Sequence, residues 1–218
     1  MEKKWKVLGP EGLGFFGTIT ASTSHELKNA LAVINENSGL LEDYMLMADD
    51  GMEVDPEKLS RISSRISTQV ARADDIVSRL STFAHSVDHI LQEIEVGQFL
   101  QLAVALSLRI LAANNVDAVA ATGLKDVRIK TSPFLFLHLV SNSLIACGAA
   151  SSARNTLQLS CREGSKKKSE VTISLEGFQK VLTDFPGPAE DALLIALDAK
   201  MRVEPDRGRL EIILPWLN

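Results

Sequence analysis

His25, Glu26 and Asn29 combine residue types and a spacing suited to covalent chemistry. Imidazole titrates near neutrality and has two distinct ring nitrogens. A carboxylate that accepts the N–H of one nitrogen fixes the tautomer and makes the other a better nucleophile. Glu26 is next in the chain to His25 and can serve as that carboxylate. The surrounding pattern is helical. At about 100° per residue, His25 lies about 160° from Leu27 and returns to within about 40° of Asn29. His25 and Asn29 are therefore expected on the outside of a helix that packs through Leu27, Leu31 and Ile34. The plainer alternative is a solvated surface histidine.

The stretch Ser24-His25-Glu26-Leu27-Lys28-Asn29-Ala30-Leu31, with Ile34 beyond it, resembles the H-box of sensor histidine kinases. It is nearest the sub-type that reads His-Glu-x-x-Asn-Pro-Leu. The resemblance implies that His25 is phosphorylated on a ring nitrogen. It implies that Glu26 is hydrogen-bond partner and base, and that Asn29 helps to position water for dephosphorylation. The proline of that sub-type is Ala30 here, so any kink it supplies is absent.

The elements that would carry this site begin after a lead-in, residues 1–14, which contains Pro10, Gly12 and Gly14. The lead-in is too short for a sensor domain, so the signal is expected from a partner or as a delivered phosphoryl group. From about Phe15 to Ala48 the apolar positions recur at a mean step near 3.5, as in a coiled coil or bundle. Asp49-Asp50-Gly51 breaks the helix. Asp55-Pro56-Glu57 starts a second one, with an N-cap followed by proline at the first helical position. Its apolar seam predicts a helix to about Ile94, which makes residues 15–95 a long hairpin. More than a dozen large apolar residues line the two arms, each contributing about 1.5 to 3 kcal/mol when buried. One hairpin cannot cover them, so two chains are expected to pair as a dimeric four-helix bundle. That arrangement matches the dimerisation and phosphotransfer domain of the kinases.

Residues 96–218 read as a second domain. Helices are predicted over 98–113, 132–150 and 189–200. Strands are predicted over 116–121, 127–131, 156–162, 171–176, 201–205 and 209–214. This order gives an α+β class, with a two-layer sandwich following the hairpin. It resembles the ATP-binding domain of histidine kinases. Phe134 to Leu144 resembles that domain's N-box, with Asn142 at the metal-chelating asparagine and His138 where a first asparagine is common. Residues 209–215 resemble its closing strand and terminal proline.

The nucleotide motifs that should follow are missing. The strand Val171–Glu176 ends in Glu176-Gly177-Phe178, without the second glycine of Asp-x-Gly-x-Gly. Only Thr183-Asp184-Phe185-Pro186-Gly187-Pro188 precedes the last helix, where the family has a glycine-rich run whose backbone N–H groups cradle phosphate. Asn142 is accordingly read as a vestigial nucleotide residue, and no ATP is expected to bind.

The function expected is that of a relay histidine phosphotransferase in a two-component phosphorelay. A response-regulator receiver domain, with its own Mg²⁺, would deliver a phosphoryl group to His25, and a second receiver would take it away. The alternatives are an ATP-dependent kinase with a divergent lid, or a non-enzymatic dimeric scaffold or inhibitor. Composition fits this class. The 218 residues allow one large or two small domains, and the net charge of −5 argues against a nucleic-acid partner. The most apolar stretch, Phe99 to Ala113, is shorter than the roughly 20 residues of a membrane span. No signal peptide is evident, and Cys147 and Cys161 fit no metal spacing, so a reducing, cytoplasmic location is expected. His85 and His89, four apart, could in principle pair on a metal, but no third ligand is evident. The lysine run 166–168 reads as a solvated hairpin tip.

Overall fold

The computed structural model describes residues 2–121, 127–163 and 170–215, with side chains from Leu8 onward. The lysine run 166–168 lies outside these described residues. Two compact units form, one from Thr20–Thr82 and the other from Met1–Ile19 with Phe83–Asn218.

The first unit is a helical hairpin. Helix α1 spans Glu2–Asp49 and α2 spans Pro56–His85. The turn forms at Gly51, whose φ of 80° suits a residue without Cβ. Asp55 Oδ1 then accepts the Glu57 N–H at 2.9 Å, and Pro56 opens α2 without leaving a donor unpaired. Thr23, Ala30 and Asn37 of α1 and Ile62 and Ile76 of α2 are buried within the unit. Leu31, Met45, Leu46, Val70 and Val77 remain half or more exposed, which is unusual for so many large apolar side chains in one hairpin.

The second unit is an α+β sandwich. It contains α3 (Val96–Ala112), α4 (Pro133–Ala149) and α5 (Pro188–Ala196). Its five-stranded sheet runs β2 (Val116–Ala120), β4 (Asn155–Glu163), β5 (Glu170–Glu176), β7 (Arg209–Pro215), β6 (Lys200–Glu204). The β2–β4 pair is parallel and the other pairs are antiparallel. Period-2 alternation turns Leu157, Leu159, Ile173, Leu175, Leu210 and Ile212 to one face, all fully buried. The opposite face is polar. There Glu211, only 4% exposed, is held between Arg162 at 2.9 Å and Arg202 at 3.7 Å. Cys147 and Cys161 are free thiols. Burial pushes the Cys147 thiol up to about 12 and also raises that of Cys161.

Three elements depart from the sequence reading. Residues 1–14 were expected as a lead-in, but α1 is already helical from Glu2 and contains Pro10. Tertiary packing outweighs poor propensity here. Phe15 and Ile19 are buried, and Gly12 lies so near Phe134 that a Cβ would sit 3.3 Å from its ring. The second departure is the end of α2, which stops at His85 rather than near Ile94. The Ser86 hydroxyl and N–H both bond to the Phe83 carbonyl, and Gln92–Glu95 forms β1, antiparallel to β3 (Arg128–Thr131). Ile90 is 88% exposed and Ile94 is buried in the strand, so the last four seam positions had mimicked a helix. His85 and His89 therefore share no helix, and no metal-binding group of His, Cys, Asp and Glu exists among the described residues. The third departure is α5, which stops short of Lys200. Asp198 turns left-handed with φ 50°, and the Ala199 N–H bonds back to the Leu194 carbonyl.

Candidate functional site

His25, Glu26 and Asn29 sit together on α1 within the hairpin unit. Ala30 is fully buried and anchors that turn of the helix against the hairpin core. The 3.6-residue period then fixes the rest. His25, Lys28 and Asn29 are exposed and Glu26 is half-buried. The His25 side chain is therefore open to solvent.

Asn142 belongs to the other unit, and its amide is already engaged. Its Nδ2 donates to Glu190 Oε1 at 2.8 Å. Glu190 Oε2 accepts the Gly187 N–H at 3.0 Å, at the start of α5. Glu190 is 9% exposed, so the carboxylate is almost withdrawn from water and depends on these donors. The sequence reading did not single out Glu190. Its signal was a glutamate three positions after Gly187, the spacing of a helix-capping acid.

His138, four residues before Asn142 on α4, is also built into the fold. It is 2% exposed and stacks on Phe15, with ring centroids 4.3 Å apart and planes 6° from parallel. Phe83 and Phe134 complete the aromatic cluster. Burial pushes the His138 ring down to about 4, opposed in part by the Glu190 charge. Its Nδ1 has no hydrogen-bond partner among the described residues.

Glu176 and Gly177 end β5 in a way that serves packing. Glu176 pairs with Arg209 at 2.7 Å. Gly177 has φ 112°, and a Cβ there would lie 3.0 Å from the Thr156 carbonyl oxygen. Its own carbonyl accepts from Asn155 Nδ2, and its N–H bonds to the Gly208 carbonyl. Both backbone polar groups of Gly177 are thus paired inside the unit.

No family model and no curated protein matches the chain. Histidine kinases are among the solved structures to which it is similar. With the histidine kinase AdeS of Acinetobacter baumannii it shares 12% identity at a TM-score of 0.48, over 89% of this chain and 98% of that one. With the cytoplasmic segment of histidine kinase QseC it shares 16% identity at 0.44, over 68% and 95%. With the histidine kinase ThkA, in complex with response regulator protein TrrA, it shares 14% at 0.45, over 99% and 66%. At TM-scores below 0.5 these likenesses carry no functional weight, and the chemistry has to be read from this chain's own residues. Among the described residues, no helix is long and apolar enough to cross a membrane.

Proposed function

We propose that this chain is a histidine phosphotransfer protein of a two-component phosphorelay, and that it receives and passes on a phosphoryl group at His25. The observation that carries the reading is an exposed histidine in an H-box-like sequence, followed by a half-buried acid and mounted on a packed helical hairpin. One ring nitrogen attacks the phosphorus of a receiver's aspartyl phosphate. The P–O bond to the aspartate breaks, and its electron pair leaves with the carboxylate. Glu26 holds the proton on the other ring nitrogen, which stabilises the charge that builds on the ring. Transfer to a second receiver runs the same step in reverse. Mg²⁺ belongs to the receivers.

A relay is favoured over an ATP-dependent kinase because the residues present do not fit a nucleotide. Asn142 spends its amide on Glu190. A triphosphate brought to that amide would meet a carboxylate, and like charges repel most where water is scarce. The Gly177 N–H is spent on the Gly208 carbonyl. We further propose that the active form is a homodimer, in which the exposed row Leu31, Met45, Val70 and Val77 packs against its copy. A sedimentation mass of one chain would remove the dimer.

The test is incubation with labelled ATP and Mg²⁺ alone, and separately with a panel of phosphorylated receiver domains. Label is expected on His25 only from receivers. Label on His25 from ATP alone would make the protein a kinase. Absence of label from every receiver would leave a scaffold.

A further inference from the structure

We propose that a cavity against the C-terminal half of α4, in the α+β unit, binds a small planar aromatic ligand that carries a single negative charge. The site is separate from His25 and does not depend on phosphotransfer there.

The cavity follows from the small residues of α4. Ala146, Ala149 and Ala150 lie within about 100° of one another around the helix. Their methyl groups leave space that larger side chains would fill. The segment after β5 lies over this face, and the space left between them is about 270 Å³. An apolar cavity of roughly 150 Å³ holds a benzene ring. The larger space here has room for a fused bicyclic ring.

The cavity is held open from both ends. At one end the Gln179 and Lys180 N–H groups both donate to the Ala150 carbonyl, at 3.2 and 2.9 Å, and the Ser152 N–H donates to Gln179 Oε1 at 2.8 Å. At the other end Glu190 joins Asn142 of α4 to the Gly187 N–H. Asn142 and Ala150 stand about 12 Å apart along the helix axis. The segment 180–187 is therefore fastened at both ends of the alanine face, and it cannot collapse onto the methyl groups without breaking these bonds. A site preformed in this way binds without the cost of ordering a loop.

The lining decides the ligand. The alanine methyls make a flat apolar floor. Leu182 and Phe185, both half-buried, supply an apolar wall that suits a ring. Among the described residues Lys180 is the only charged one that lines the cavity, and Thr183 adds a hydroxyl. Lys180 is exposed and has no ion-pair partner among the described residues, so its ammonium can meet a carboxylate or sulfonate at the mouth. The acids nearby are placed differently. Asp184 is exposed and does not line the cavity. Glu190 is 9% exposed, and its carboxylate already accepts two hydrogen bonds. One cation matches one anionic group. A triphosphate would extend several negative charges toward Glu190, which disfavours a nucleotide. A cationic ring would find no counter-charge in the lining.

The test uses the full chain with its alanine methyl groups labelled for NMR, and two probes, 2-naphthoate and 2-naphthylmethylammonium. 2-Naphthoate should shift the Ala146, Ala149 and Ala150 methyl signals saturably, and the ammonium probe should not. Lys180→Glu should weaken 2-naphthoate about tenfold. Ala149→Leu, which puts a larger side chain into the space, should remove the response of Ala146 and Ala150. Both substituted positions are exposed, so both variants should keep the wild-type melting temperature by circular dichroism. Equal response to the two probes, no saturable shift at these methyls, or equal affinity in Lys180→Glu would overturn the proposal. So would ATP with Mg²⁺ that shifts the same methyls at a lower concentration than 2-naphthoate, because the cavity would then be a nucleotide site. A receiver domain that displaces 2-naphthoate would also overturn it, and would make the cavity a socket for a protein side chain.

Discussion

His25 with Asn29 and His138 with Asn142 are the same residue pair at the same helical spacing, one in each unit, and the fold uses them in opposite ways. On α1 the pair is exposed beside a half-buried acid. On α4 the histidine is 2% exposed against Phe15, and the asparagine is tied to a carboxylate. Spacing alone therefore does not make a site. What separates the two pairs is the neighbouring sequence. Around His25 the apolar positions leave one side of the helix polar. Around His138, Leu137, Leu139 and Val140 are apolar too, so α4 is buried on nearly all sides.

The largest effect should come from the exposed pair. His25→Ala should abolish label transfer from phosphorylated receivers and leave the thermal midpoint within about 1 °C, because an exposed side chain contributes little to packing. A variant that retains transfer would place the chemistry elsewhere. A midpoint lower by many degrees would make His25 structural, like His138.

The buried pair should respond to pH instead. His138 binds its proton at about 4 in the folded chain and near the ordinary 6.5 when unfolded. Between these values the unfolded state holds more protons, so stability rises with pH. The contribution is present in full above about 6.5 and is lost as pH falls toward 4. Urea denaturation at the two ends of this window should show wild type losing about 3 kcal/mol more than His138→Phe. Identical pH slopes would mean that the ring titrates normally and that the contrast with His25 is only one of exposure.

The smallest effect is expected at the second asparagine. Asn142→Ala removes one donor from the nearly buried Glu190 and should cost about 2 kcal/mol in urea denaturation. Transfer to His25 should be unchanged. A variant of unaltered stability, or one that changes label incorporation from ATP, would show that Asn142 serves a nucleotide and not the α4–α5 contact.

Much of this was legible in the chain. The break at Asp49-Asp50-Gly51 and the start at Asp55-Pro56 follow from local backbone chemistry, as does the order of helices and strands from α3 to β7. The exposure of His25 follows from periodicity alone. The reading failed where non-local contacts decided. Gly9, Pro10, Gly12 and Gly14 argue against a helix, yet the aromatic cluster at Phe15 holds one in place. Val87, Ile90, Leu91 and Ile94 continue a helical seam, yet pairing with β3 takes the backbone of Gln92–Glu95. Glu190 was overlooked because its partner Asn142 is 48 positions away.

The sequence by itself determined the two kinds of unit, the exposed histidine with its acid, and the missing glycines, because each depends on residues a few positions apart. Only the tertiary structure decided what became of Asn142 and His138, and that a cavity lies against Ala146, Ala149 and Ala150. Those outcomes depend on which distant side chain reaches a buried polar group or an apolar face first, and no local pattern encodes that.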